Sequence, residues 1–144
     1  TILGYFFAQG FEDSIKALKS PIVECSIDLF EQAGEDLLPT PAKSHYTFNL
    51  RDIWKVFQGI CSLKAKKVTD PLVAVRCYCH ENTRVYGDRL INDTDRSWLR
   101  NKLTESLTAS FKSQPGQIFD KDRLIFGDFI GNSDTKYYFE VEDM

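Results

Sequence analysis

Apolar residues recur along this chain at three- and four-residue spacing, interrupted by prolines, glycines and capping residues, and that rhythm predicts helices. Residues 3–18 are apolar and end helix-like, with Phe11, Ile15 and Leu18 in phase, although Gly4 and Gly10 weaken the pattern. Ser20-Pro21 reads as an N-cap followed by proline at the first helical position. Val23, Ile27, Phe30, Ala33 and Leu37 then predict a helix of about four turns, stopped by Pro39. Pro39 and Pro41 stiffen the connector that follows. Asn49 caps the next helix, predicted to run to about Leu63 with Leu50, Ile53, Trp54, Phe57, Ile60 and Cys61 as its apolar face. Lys64, Lys66 and Lys67 read as a solvated basic loop.

Asp70-Pro71 repeats the cap-plus-proline start. Leu72, Val75, Cys79, Tyr86 and Leu90 keep phase across Gly87 and predict one long helix. Its other face carries Arg76, His80, Glu81, Arg84, Asp88 and Arg89, which reads either as solvent-exposed or as a docking surface. Residues 92–95 offer several caps for a helix striped by Trp98, Leu99, Leu103, Leu107 and Phe111, broken at Ser113 to Gly116. The periodicity then changes. Residues 124–130 and 137–141 are aromatic and β-branched, with turn residues Gly131 to Asp134 between them, so a hairpin or two extended segments is expected. The fold class is therefore mainly α: a compact bundle of about five helices over residues 1–118, with a short β or extended tail over 119–144.

Composition narrows the function classes. The chain has 144 residues, of which 42% are hydrophobic, enough for a folded core. A net charge of −3 argues against a nucleic-acid or anionic-membrane surface. No apolar run approaches the ~20 residues of a membrane helix, and the opening Thr-Ile-Leu-Gly-Tyr-Phe-Phe resembles no signal peptide. Lacking an initiating methionine, it suggests a piece of a larger protein. Cys25, Cys61, Cys77 and Cys79 read as reduced thiols. Cys77 and Cys79 point to different sides of a helix and cannot easily share one metal ion with His80, so no metal site is expected.

Arg51 breaks a local rule. A cation in the first turn opposes the helix dipole by roughly 0.3–1 kcal/mol, and such conflicts mark candidate functional residues. Asn49 and Asp52 flank it as the two halves of a capping box. The plain alternative is that Arg51 pairs with Asp52 or Glu81. His45 and Tyr46 read as packing and hydrogen-bonding residues, Trp54 and Trp98 as core anchors, and the double-proline connector as a simple turn rather than a hinge.

Three co-linear blocks extend the picture. Leu37-Leu38-Pro39-Thr40-Pro41 with Lys43-Ser44-His45-Tyr46, Phe48-Asn49-Leu50-Arg51-Asp52 and Gln58-Gly59 form the first. His80-Glu81-Asn82, Arg84-Val85-Tyr86, Asp88-Arg89-Leu90 and Asp95-Arg96-Ser97-Trp98 form the second, and Ile125-Phe126-Gly127-Asp128-Phe129 the third. Over most of residues 21–130 the chain resembles the small helical lid of the third AAA+ module of dynein heavy chains, the axonemal type in particular. It departs at Cys77-Tyr78, where that family usually carries Leu-Trp.

The resemblance implies that Arg51 is a sensor II-like arginine reaching the phosphates of ATP or ADP in the parent module, supported by Asn49 and Asp52. It implies His80, Glu81, Arg84 and Arg89 as an inter-module surface. The implied partners are the large AAA+ subdomain of the same module and the following AAA+ module, with microtubules and other dynein subunits met through the parent motor. The implied location is cytoskeletal, in the axoneme of a cilium or flagellum. Neither a phosphate-wrapping G-x-x-x-x-G-K-[ST] loop nor a magnesium-binding acidic pair occurs in the sequence, so this chain alone is not expected to hydrolyse ATP or to hold a cofactor. Two rivals are a stand-alone helical scaffold with no nucleotide role and a small enzyme using Cys79 and His80.

Overall fold

A computed structural model describes residues 2–66, 68–112, 115–118, 124–127 and 138–141. In chain order these form α1 (Ile2–Phe7), α2 (Asp13–Lys16), α3 (Lys19–Asp36), α4 (Leu50–Ile60), α5 (Pro71–Val85), α6 (Asp93–Ala109) and α7 (Pro115–Ile118). Two short strands follow, β1 (Phe126–Gly127) and β2 (Phe139–Glu140), and 3-10 turns lie at Pro41–Lys43 and Gly87–Arg89. The mainly-α bundle with an extended tail is as the periodicity predicts.

Helix α5 is the axis of the bundle. Ala74, Val75, Cys77, Tyr78, Cys79, Glu81, Asn82 and Val85 are all buried, so it is covered on several sides rather than one. It packs against α2, α4 and α7. Asp70 accepts the Leu72 amide at 2.9 Å and Pro71 opens the first turn, as expected of that dipeptide. The helix does not continue to Leu90. It gives way to the 3-10 turn at Gly87, where a Cβ would lie 3.1 Å from Leu99 Cδ2, so the glycine lets α6 approach closely.

Helix α6 keeps its expected face, with Leu99, Leu103 and Leu107 buried and the Asn92 side-chain oxygen Oδ1 accepting the Asp95 amide at 2.8 Å. Trp98 is only half-buried, and its indole N–H donates to Asp36 at 2.8 Å. Helix α3 begins at Lys19 rather than Pro21, because Leu18 is already helical and its carbonyl accepts the Ile22 amide at 3.0 Å. It buries Ile22, Cys25, Ser26, Leu29 and Ala33; of the expected stripe Ala33 and Leu37 are buried, whereas Val23 and Phe30 are half-buried and Ile27 is exposed. Both stripes are apolar, and contact with α1 and α4 selects the inner one.

The larger correction falls on α4. Its buried residues are Asp52, Val56 and Ile60, whereas Leu50 is 73% and Trp54 49% exposed. Trp54 is therefore not a core anchor, and of the stripe expected to face inward Ile60 is buried while Leu50, Ile53, Trp54, Phe57 and Cys61 lie outward or at the margin.

The tail folds back on the helices. Phe126 pairs with Glu140 and Gly127 with Phe139 in antiparallel register, and Leu63 bridges Tyr138 in parallel. The turn expected at Gly131 to Asp134 lies outside the described residues. Phe126 is buried in the main core, and three side chains of α5 hold the tail. Arg76 grips Glu140 at 3.1 and 3.2 Å, His80 Nδ1–H donates to the Leu124 carbonyl at 2.9 Å, and the Tyr138 hydroxyl donates to Glu81. Gly59 of α4 makes room for that carboxylate, since a Cβ there would fall on the Glu81 carboxyl group. Gly59→Ala therefore forces overpacking at a fully buried charge. It should lower unfolding stability by about 1–3 kcal/mol, read as a drop in urea midpoint, and an unchanged midpoint would contradict this packing.

Candidate functional site

The entrance to α4 is built by a closed set of hydrogen bonds. Asn49 is extended (φ −137°, ψ 174°) and its side-chain carbonyl accepts the Arg51 amide at 2.9 Å. The Asp52 carboxylate returns to accept the Asn49 amide at 2.9 Å, which completes the capping box the spacing predicts. Asp52 is 3% exposed, so its charge needs a partner. That partner is Arg89, whose Nη1 lies 3.1 Å from Asp52 Oδ2. The other Arg89 nitrogen donates to the carbonyls of His45 and Thr47 at 2.9 and 2.7 Å, and the guanidinium lies 4.7 Å from the centre of the Phe48 ring.

The connector is tied down along its length. His45 Nε2–H donates to the Arg89 carbonyl at 2.8 Å. The Tyr46 hydroxyl donates to Asp95 at 2.9 Å and accepts the Ile91 amide at 2.9 Å, while Lys43 Nζ reaches the same Asp95 oxygen at 2.6 Å. His45 and Tyr46 are thus packing and hydrogen-bonding residues, and the double-proline segment is a clamped turn.

Arg51 stands apart from this web. It is exposed, and its side chain has no hydrogen bond or ion pair among the described residues. Pairing with Asp52 or Glu81 is not seen, because Asp52 is engaged by Arg89 and Glu81 by Arg84 and Tyr138. Leu50, Ile53, Trp54 and Phe57 run beside it at positions i, i+3, i+4 and i+7, with Leu50 and Trp54 the most open. The face joins one free guanidinium to an apolar strip. Such a face can seat an anion and an apolar wall together.

The four residues expected on an inter-module surface separate. Glu81 is fully buried, His80 is covered by the tail and Arg89 clamps the connector with its side chain partly exposed; Arg84, with a side chain 49% exposed, is the most open of the four. The expectation of a charged outer face assumed that α5 was peripheral, and the returning tail makes it central. Arg84 donates to Glu81 at 3.0 and 2.7 Å, which raises its own pKa. Burial, and then the hydrogen bond to Glu81, push the Tyr138 hydroxyl well up. A groove of about 420 Å³ beside this cluster is lined by Lys55, Gln58, Ser62 and Phe126 among others. Its one carboxylate, Glu81, is already saturated. The roles of Gly59, Arg89 and Tyr138 join residues far apart in sequence, and no spacing rule reports them.

Cys79 is unsuited to nucleophilic work. It is fully buried, and burial holds its thiol far above the usual range, as it does for Cys77. His80 is bonded to the tail rather than aimed at a thiol.

A small helical bundle that leaves a capped cation and an apolar strip bare on one helix is a covering subdomain in form. The chain belongs to the AAA+ lid domain family, whose model matches residues 22–120. It is 42% identical to dynein axonemal heavy chain 1 of Mus musculus over 126 residues, 87% of this chain. It is 41% identical to dynein axonemal heavy chain 6 of Homo sapiens over 125 residues, 86% of this chain. With the dynein-1-beta heavy chain of the flagellar inner arm I1 complex of Chlamydomonas reinhardtii it shares 33% identity over 148 residues, the full chain. The chain spans 3% of the length of each of these relatives. No helix among the described residues is long and apolar enough to cross a membrane.

Two measurements check this geometry. Under native conditions iodoacetamide should modify the half-buried Cys61 before Cys25, Cys77 or Cys79, as read by mass spectrometry; early labelling of Cys79 would contradict its burial. At Asp95, burial alone would raise the pKa, but the hydrogen bonds from Lys43 and Tyr46 prevail and hold it below its ordinary value of 3.8. A carboxyl lowered in the folded state adds stability above its unfolded pKa and loses it as pH falls through the folded value. Asp95→Asn should therefore lower the urea midpoint at neutral pH and make its decline below about pH 4 shallower than in the unaltered chain. An identical acid-side slope would show that Asp95 carries no such linkage.

Proposed function

We propose that this chain is the lid of an AAA+ module in an axonemal dynein heavy chain, and by its sequence blocks the third module. In this reading residues 1–118 are the lid body and 119–144 the tail leading toward the following module. The lid lies over ATP or ADP bound to the large subdomain of its own module, and Arg51 meets the phosphates. The large subdomain supplies the hydrolytic machinery. The parent works as an ATP-driven microtubule motor in the axoneme of a cilium or flagellum.

The observation that carries this reading is the state of Arg51. It is held at a fixed helix entrance, bears a permanent charge, and has no partner among the described residues while Asp52, in the same turn, is already engaged by Arg89. The strip of Leu50, Ile53, Trp54 and Phe57 supports a large apolar partner against the same helix. A stand-alone scaffold gives no reason for a tryptophan and a leucine left bare one turn apart beside an unpaired arginine.

The direct test is Arg51→Ala in the intact module. A guanidinium–phosphate contact of ordinary strength predicts nucleotide binding weaker by about tenfold or more, measured with a fluorescent ADP analogue. Unchanged affinity would overturn the assignment of Arg51.

A further inference from the structure

We propose that Arg89 is the positioning residue for Arg51: it acts on the nucleotide site through Asp52 and the capping box, without touching nucleotide itself. This rests on the reading of Arg51 given above. The two arginines belong to different elements, one on the 3-10 turn after α5 and one in the first turn of α4. They are joined by a short chain of contacts. The Arg89 guanidinium meets Asp52 Oδ2 at 3.1 Å, that same oxygen accepts the Asn49 amide at 2.9 Å, and Asn49 Oδ1 accepts the Arg51 amide at 2.9 Å. Each link fixes the next, and the last one fixes the backbone from which the Arg51 side chain departs.

Arg89 also holds the approach to that turn. It donates to His45 and Thr47 carbonyls at 2.9 and 2.7 Å and packs on the Phe48 ring. Those residues are the last few before the Asn49 cap. A planar fork of donors can serve a carboxylate and two carbonyls at once while stacking on a ring, and an ammonium group cannot. Without Arg89, the Asp52 carboxylate stays 95% buried at its side chain and loses its cation. The box then loosens, because Asp52 gains more by turning to water than by holding one amide. Arg51 keeps its charge but not its direction. A misplacement of about 1 Å is enough to lose most of such a contact.

A residue that merely glues the bundle would behave differently, and a double-mutant cycle separates the two cases. The experiment uses the whole heavy chain, with its other nucleotide sites silenced by Walker A substitution and a fluorescent ADP analogue as probe. Arg51→Ala sets the scale, at about tenfold or more. Arg89→Gln should weaken binding by about threefold to tenfold, and the double variant should bind no more weakly than Arg51→Ala alone. Additive losses, or an Arg89→Gln that binds normally, would overturn the role of Arg89 while leaving Arg51 in place. No effect from Arg51→Ala would remove both readings together. Where Arg89→Gln yields too little folded protein, Arg89→Leu removes the same cation and the same criteria apply. Either variant should also speed amide hydrogen exchange at residues 51–53 without changing α6, and unchanged exchange at 51–53 would overturn the proposal.

Discussion

One buried carboxylate organises the working end of this molecule. Asp52 points into the bundle from the first turn of α4, where it closes a capping box and takes the charge of Arg89. The double use explains how a buried acid is tolerated: its desolvation is offset by one charged and one backbone partner. It also decides how α4 is rotated. With Asp52, Val56 and Ile60 turned inward, Leu50, Arg51 and Trp54 have no choice but to face out. The exposed face of the site is thus a geometric consequence of an internal salt bridge.

A second buried carboxylate does comparable work at the other side of α4. Glu81 sits in the gap left by Gly59, neutralised by Arg84 and bonded by Tyr138. Together with Arg76 and His80 it fastens the tail along α5. The helix that separates these two acids is therefore fixed at both its ends, at Asp52 by the connector and at Gly59 by the tail. Rotation of α4 relative to α5 would disturb both arrangements.

Much of this was legible in the sequence. The caps at Asn49, Asp70 and Asn92 and the stop before Pro39 are local chemistry, and local chemistry survives folding. The resemblance blocks located the family. What failed was the choice of face. In α3 two adjacent stripes are both largely apolar, and in α4 the open apolar strip has the clearer periodicity, because the buried stripe begins with the carboxylate of Asp52. Where one helix carries an apolar face turned to the core and another left open, periodicity cannot rank them. The charged face of α5 misled for the opposite reason. Arg84 and Asp88 do reach solvent, but Arg76, His80, Glu81 and Arg89 are matched to residues of the tail and connector more than forty positions away.

The account makes Arg51 and its apolar strip a surface awaiting the rest of the module. Its most direct test is a structure of the intact heavy chain with ADP in this module. The prediction is an Arg51 guanidinium within about 3 Å of a phosphate oxygen, with Leu50 and Trp54 covered by the large subdomain. An Arg51 directed away from the nucleotide, with Leu50 and Trp54 still facing solvent, would contradict it.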